Sequence, residues 1–157
     1  MTDGSAVALA VDGSEESKRA LDLACQLCRG LGASLVIITV VPPPPIYPME
    51  TVPLVIEPPH LLEAYQKALG NAVGDARAQG VASVESKLLE GPVVDSIVQF
   101  LKEAQPRMLV MGARGLSAGA RLFLGSVSDG VVHHAPCPVL IVRDGRSATS
   151  KVKEDSA

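Results

Sequence analysis

Residues Met111 to Ser128 read MGARGLSAGARLFLGSVS, four glycines and a serine-rich ending set directly behind the apolar run Met108 to Met111. The skeleton is Gly112, two residues, Gly115, nine residues, then Gly125-Ser126. Glycine has no Cβ, so it reaches positive φ cheaply and lets a ligand lie against the main chain. Ser126 and Ser128 stand where a helix begins, because Val127, Val131 and Val132 supply apolar spacing behind them and serine is a favoured N-terminal cap. A helix start offers free N–H groups and a partial positive charge, which together suit a phosphate. Arg114 and Arg121 lie in the same segment and are able to close on phosphate oxygens with forked hydrogen bonds. The competing reading is a glycine-rich surface loop that binds nothing.

Working outward, the rest of the chain reads as scaffold for that loop. Ala6 to Val11 is an apolar run ending in Asp12-Gly13-Ser14, a buried strand turning into a helix capped by Ser14, with Glu15 and Glu16 in the first turn. Leu21, Ala24, Cys25, Cys28 and Leu31 recur at helical spacing, and Gly30 and Gly32 are expected to stop the helix. Ser34 to Val41, rich in β-branched residues, reads as the second strand. Eight prolines then make residues 42–59 an extended connection, unable to hold a helix or a central strand. His60 to Gln79 carries Leu62, Tyr65, Leu69, Val73 and Ala76 at helical intervals before Gly80. Val81 to Leu89 is a weaker strand, Pro92 sits at the first position of a helix through Leu101, and Arg107 to Met111 is the fourth strand. After the glycine loop come a helix, Ser126 to His134, and a last strand, Pro138 to Val142.

The alternation of five strands with four helices specifies an α/β fold, a single-domain open five-stranded parallel sheet with helices on both faces. Residues 1–145 form that domain, and 146–157 read as a disordered polar tail. Ligands in such sheets bind beyond the carboxyl ends of the strands, where the strand order reverses, so Val11, Asp12, Val40, Met111 and Gly112 are the expected walls.

At 157 residues and 47% hydrophobic, the chain is long enough for one core. Aromatics are 3% with no tryptophan, so that core is aliphatic. A net charge of −3 gives no footprint for nucleic acid. No run is long enough to span a bilayer and the N-terminus does not read as a signal peptide, so a soluble cytoplasmic protein is expected. Cys25 and Cys28 form a C-x-x-C, but mid-helix they read as two core-facing residues one turn apart rather than a redox pair or zinc site. No set of nucleophile, base and oxyanion donors assembles, so no catalytic residue and no metal site are assigned.

The glycine pattern, followed by Val127-Ser128 and later by Cys137-Pro138-Val139-Leu140-Ile141-Val142, resembles the universal stress protein family from about Val7 to Arg143. It fits neither the P-loop nor the dinucleotide-binding fingerprint. The resemblance implies an adenine nucleotide alpha hydrolase-like fold and, in the family's nucleotide-binding branch, an ATP site, with any Mg2+ bound through the phosphates. It implies that Ala10, Val11 and Asp12 line the adenosine pocket and that Val40 meets the adenine. Gly112, Arg114 and Gly115 then lie along the ribose and phosphates, Gly125, Ser126, Val127 and Ser128 hold the phosphates, and Met111 belongs to the same nucleotide site. Asp12 has a second reading as a cap for the first helix. Arg107 departs from the acid that many members carry at the start of the fourth strand, at the end far from the site. The function implied is a stress-response regulatory module that binds ATP, or cyclic AMP, and forms a homodimer through the C-terminal strand, with an unknown protein partner and no membrane. Slow ATP hydrolysis, and a same-fold interaction module that binds no nucleotide, stay open at this point.

Gly115→Val puts a β-branched side chain where positive φ or a phosphate is expected, and is expected to weaken ATP at least about tenfold, roughly 1.4 kcal/mol. Calorimetric titration, with circular dichroism to confirm folding, measures it.

Overall fold

A computed structural model describes residues 6–47, 54–55, 60–114 and 124–143. Gly115, Arg121 and the expected tail 146–157 lie outside the described residues. The element order is β1 (Val7–Ala10), α1 (Glu15–Leu31), β2 (Leu35–Val41), β3 (Ile46–Tyr47), β4 (Leu54–Val55), α2 (Leu61–Ala78), β5 (Val84–Glu90), α3 (Val93–Ala104), β6 (Met108–Gly112), α4 (Ser126–His134) and β7 (Val139–Val142). The main sheet runs β5-β2-β1-β6-β7, and all four pairings are parallel. This is the expected five-stranded sheet.

Both faces of the sheet are buried, which is why its inner strands read as unbroken apolar runs rather than as alternation. Val7 and Leu9 of β1, Leu35 and Ile37 of β2 and Val110 of β6 pack with Leu21, Cys25 and Cys28 of α1 and with Leu69, Ala72 and Ala76 of α2. Ala8, Val36, Ile38, Val40, Leu109 and Met111 point the other way, onto Ile97, Phe100 and Leu101 of α3 and Val131 of α4. β1 is central and short. Ala10, its last residue, pairs with Ile38 and Met111, so β2 continues three residues beyond it and β6 one.

The helix ends follow their local chemistry, with two shifts from expectation. Ser14 caps α1 as expected, its side chain accepting the Ser17 N–H at 3.2 Å. Gly32, at φ 63, ends α1 in the left-handed region, whereas Gly30 stays inside the helix because one left-handed residue is enough to turn the chain. Pro92 occupies the cap of α3, one position earlier than expected, its ψ of 127 keeping it extended. The proline-rich connection does contain strand, a two-residue antiparallel ribbon pairing Ile46 with Val55 and Tyr47 with Leu54. It forms at the non-proline positions, whose N–H groups are available, and it stays apart from the main sheet. β5 looked weak because it is an edge strand whose Glu85, Ser86 and Lys87 are exposed. Among the described residues no helix is long and apolar enough to cross a membrane.

Two glycines inside helices have opposite meanings. A Cβ on Gly130 of α4 would stand 2.9 Å from Val94 Cγ2 of α3, a stiff branched neighbour, whereas one on Gly74 of α2 would meet nothing within 4 Å. Alanine gains about 1 kcal/mol of helix propensity at either site. At Gly130 overpacking costs about 1–3 kcal/mol and outweighs that gain. Urea unfolding is therefore expected to show Gly74→Ala more stable and Gly130→Ala less stable than the wild type.

Candidate functional site

Sheet order reverses at β1, since β2 and β5 lie on one side of it and β6 and β7 on the other. Beyond the carboxyl ends of β2, β1 and β6 there opens a cavity of about 340 Å³. Ala10, Val11, Asp12, Val40, Met111, Gly112, Arg114, Gly125, Ser126, Val127 and Ser128 all line it. The described site residues expected from sequence are thus brought to one place, while Gly115 lies outside the described residues.

The lining divides by chemistry. Ile38, Val40, Met111, Val93, Ile97 and Val127 make an apolar side drawn from β2, β6, α3 and α4. Asp12, Ser14, Ser17, Thr39, Arg114, Ser126 and Ser128 make the polar lining, drawn from the start of α1, β2, the turn after β6 and the start of α4. By helix geometry the N–H groups of Ser126, Val127 and Ser128 have no carbonyl one turn back within α4, whose ladder opens with the Asp129 N–H donating to the Gly125 carbonyl at 2.9 Å. That is a place for an anion.

Several lining residues were not singled out for the site in the sequence. Thr39, 2% exposed, donates its hydroxyl to the Val11 carbonyl at 2.8 Å, tying the end of β1 to β2 where the backbone ladder stops. Its threonine identity inside an otherwise aliphatic strand was the available clue. Tyr65 comes from α2 and Val93 and Ile97 from α3, so their part in the cavity depends on tertiary packing.

The structure corrects the capping expected in the glycine loop at two positions. Gly125, not Ser126, is the N-cap of α4, and no side chain caps this helix. Ser128 donates rather than accepts: its hydroxyl bonds the Ala113 carbonyl at 2.5 Å and the Gly125 carbonyl at 3.0 Å. At Gly112, which lines the cavity, the structure adds crowding by α1, a Cβ there lying 3.0 Å from Glu16 Cβ and 3.1 Å from the Glu16 carbonyl carbon. Arg114 reaches the cavity, but its guanidinium bonds the Glu16 carboxylate at 2.8 Å and 3.2 Å, and its backbone N–H donates to the other oxygen of Glu16 at 2.6 Å. Asp12 lines the cavity and also accepts the Ser14 N–H at 2.9 Å, so its local turn role and its place in the site coexist.

The remaining candidates stand apart. Cys25 and Cys28 are buried free thiols. Burial, with Cys25 close by, pushes the Cys28 thiol up to about 11, and burial raises Cys25 as well. His133 and His134 are exposed, and each ring sets Nδ1 2.8 Å from the carbonyl one turn back, those of Asp129 and Gly130. Among the described residues no group of three or more His, Cys, Asp or Glu could hold a metal ion.

Residues 5–143 match the model of the universal stress protein family. A relative from Thermus aquaticus, "Universal stress protein in QAH/OAS sulfhydrylase 3′ region", is 37% identical over 142 residues, covering 87% of this chain and 97% of its own. A universal stress protein solved in complex with cAMP is 30% identical, with a TM-score of 0.67, and the match covers 88% of this chain and 95% of that one. Another, from Archaeoglobus fulgidus in complex with dAMP, shares the fold at 24% identity and a TM-score of 0.68, over 90% and 99% of the two chains.

Ser128→Ala removes a buried hydroxyl that joins α4 to the turn after β6, and is expected to cost about 1 kcal/mol of stability; Ser126→Ala, at an exposed position, is expected to stay within about 0.5 kcal/mol. Chemical denaturation separates them. Because burial pushes the Cys28 thiol up to about 11 and raises Cys25 as well, a thiol reagent at pH 8 is expected to leave both unmodified until denaturant is added. Rapid native labelling of both, read by mass spectrometry, would contradict their burial.

Proposed function

Since this chain belongs to the universal stress protein family, we propose that its cavity binds an adenine nucleotide, ATP first, and that the protein works as a regulatory dimer in a stress response. The observation that carries this reading is the cavity at the strand-order reversal, apolar on one side and bounded on the other by the start of α4. The base lies against Val40, Ile97 and Met111, and the phosphates face Gly125 to Ser128. A triphosphate brings Mg2+ with it, held by its own oxygens and within reach of the hydroxyl- and carboxylate-bearing side of the cavity. Cyclic AMP is the second reading, favoured by the cAMP complex of the 30% identical relative. Binding rather than turnover fits the lining, whose ionisable side chains among the described residues are Asp12, Tyr65 and Arg114.

The dimer reading rests on the contrast between the two sheet edges. β7 reads VLIV with Leu140 37% exposed, whereas β5 carries Glu85 and Lys87 on its exposed stretch. A bare apolar edge favours pairing with a second copy, and a charged one resists it.

Denaturing the purified protein and identifying the released small molecule by mass spectrometry tests the ligand, and calorimetry with ATP, AMP and cAMP ranks it. An adenine nucleotide with micromolar or tighter binding is expected. No released nucleotide and no heat with any of the three would favour an interaction module instead. Sedimentation equilibrium is expected to show a dimer, and a 16.3 kDa species alone at micromolar concentration would remove that part.

A further inference from the structure

The charges at the polar end of the cavity do not suit every phosphate equally. Asp12 and Arg114 face the cavity, and Glu16 sits directly behind Arg114 with its side chain only 9% exposed. Both oxygens of Glu16 are spent on Arg114, one on the backbone N–H at 2.6 Å and one on the guanidinium at 2.8 Å and 3.2 Å. The guanidinium charge is therefore balanced before any ligand arrives. Two carboxylates against one guanidinium leave the described side chains with one net negative charge, offset in part by roughly half a positive charge from the start of α4. Such an end disfavours a cluster of phosphate charges far more than a single one, and water screens the difference weakly because Glu16 is buried.

We propose that Glu16 is a specificity-determining positioning residue: by holding and neutralising Arg114 it makes the site select adenine nucleotides of low phosphate charge, a cyclic monophosphate or a Mg2+-screened triphosphate, over a bare polyphosphate. The proposal rests on the adenine-nucleotide reading above. Glu16 need not touch the ligand. It acts through Arg114, whose guanidinium a phosphate shares with a buried carboxylate instead of taking it whole.

The experiment titrates cAMP, ATP with EDTA and ATP with excess Mg2+ into wild type, Glu16→Gln and Arg114→Gln, each checked for folding by circular dichroism. Wild type is expected to bind cAMP and Mg2+-ATP more tightly than Mg2+-free ATP. Glu16→Gln removes the balancing charge, and the affinity ratio of Mg2+-free ATP to cAMP is expected to rise at least about tenfold. Arg114→Gln leaves the buried carboxylate uncompensated and is expected to move the ratio the opposite way, a readout that decides the matter should Glu16→Gln fail to fold. Equal changes for both ligands would show that Glu16 is only structural, and tighter binding of Mg2+-free ATP than of cAMP by wild type would also overturn the proposal. If wild type binds no adenine nucleotide at all, the functional reading itself falls, and this inference falls with it.

Discussion

The seating of α1 against the end of β6 is the contact on which the site depends. Gly112 lets the first turn of α1 come so close that any side chain there would crowd Glu16 and Ser17, and Glu16 then fastens the turn at Arg114 with hydrogen bonds to its backbone and its side chain. From that anchored turn the Ala113 carbonyl accepts both the Gly125 N–H, at 2.7 Å, and the Ser128 hydroxyl. The start of α4 is thus fixed to the end of β6, and through β6 to α1. A helix start directs its dipole usefully only when its position is held, and here the holding is done by groups that need not meet the ligand.

The two hydrophobic half-cores explain why the fold was so legible. A sheet covered on both faces needs apolar residues at consecutive positions, so runs such as LVIITVV announce inner strands, and Ser14, Gly32 and Gly80 mark helix ends by local chemistry alone. The ribbon between β3 and β4 was not legible, because two paired residues on each side leave no periodicity to find. β5 was blurred for a related reason, its edge position replacing apolar residues with Glu85, Ser86 and Lys87.

At the candidate site, what could be read were the positions rather than their reasons. The glycine spacing led to residues that line one cavity, where Gly112 also answers to the close approach of a helix and Ser128 donates to carbonyls rather than capping. Glu16 looked like an ordinary dipole-favoured acid of a first turn, and its pairing with a residue 98 positions away has no sequence signature. Thr39 was hidden in the same way, its partner being a carbonyl 28 positions away. Local signals reveal local structure, whereas contacts between distant segments appear only once the sheet has brought them together.

The unequal strand lengths have a consequence for how such a chain can vary. β2 overshoots β1 by three residues, a ledge about 10 Å long that Thr39 fastens to Val11. The depth of the recess above β1 is therefore a property of sheet register, inherited from the core and as rigid as the core. Tyr65 of α2 and Val93 and Ile97 of α3 border the same recess from helices laid on the sheet. Exchanges on those helices can alter its sides while its floor keeps the same dimensions, so the walls are free to diversify under a constant footprint.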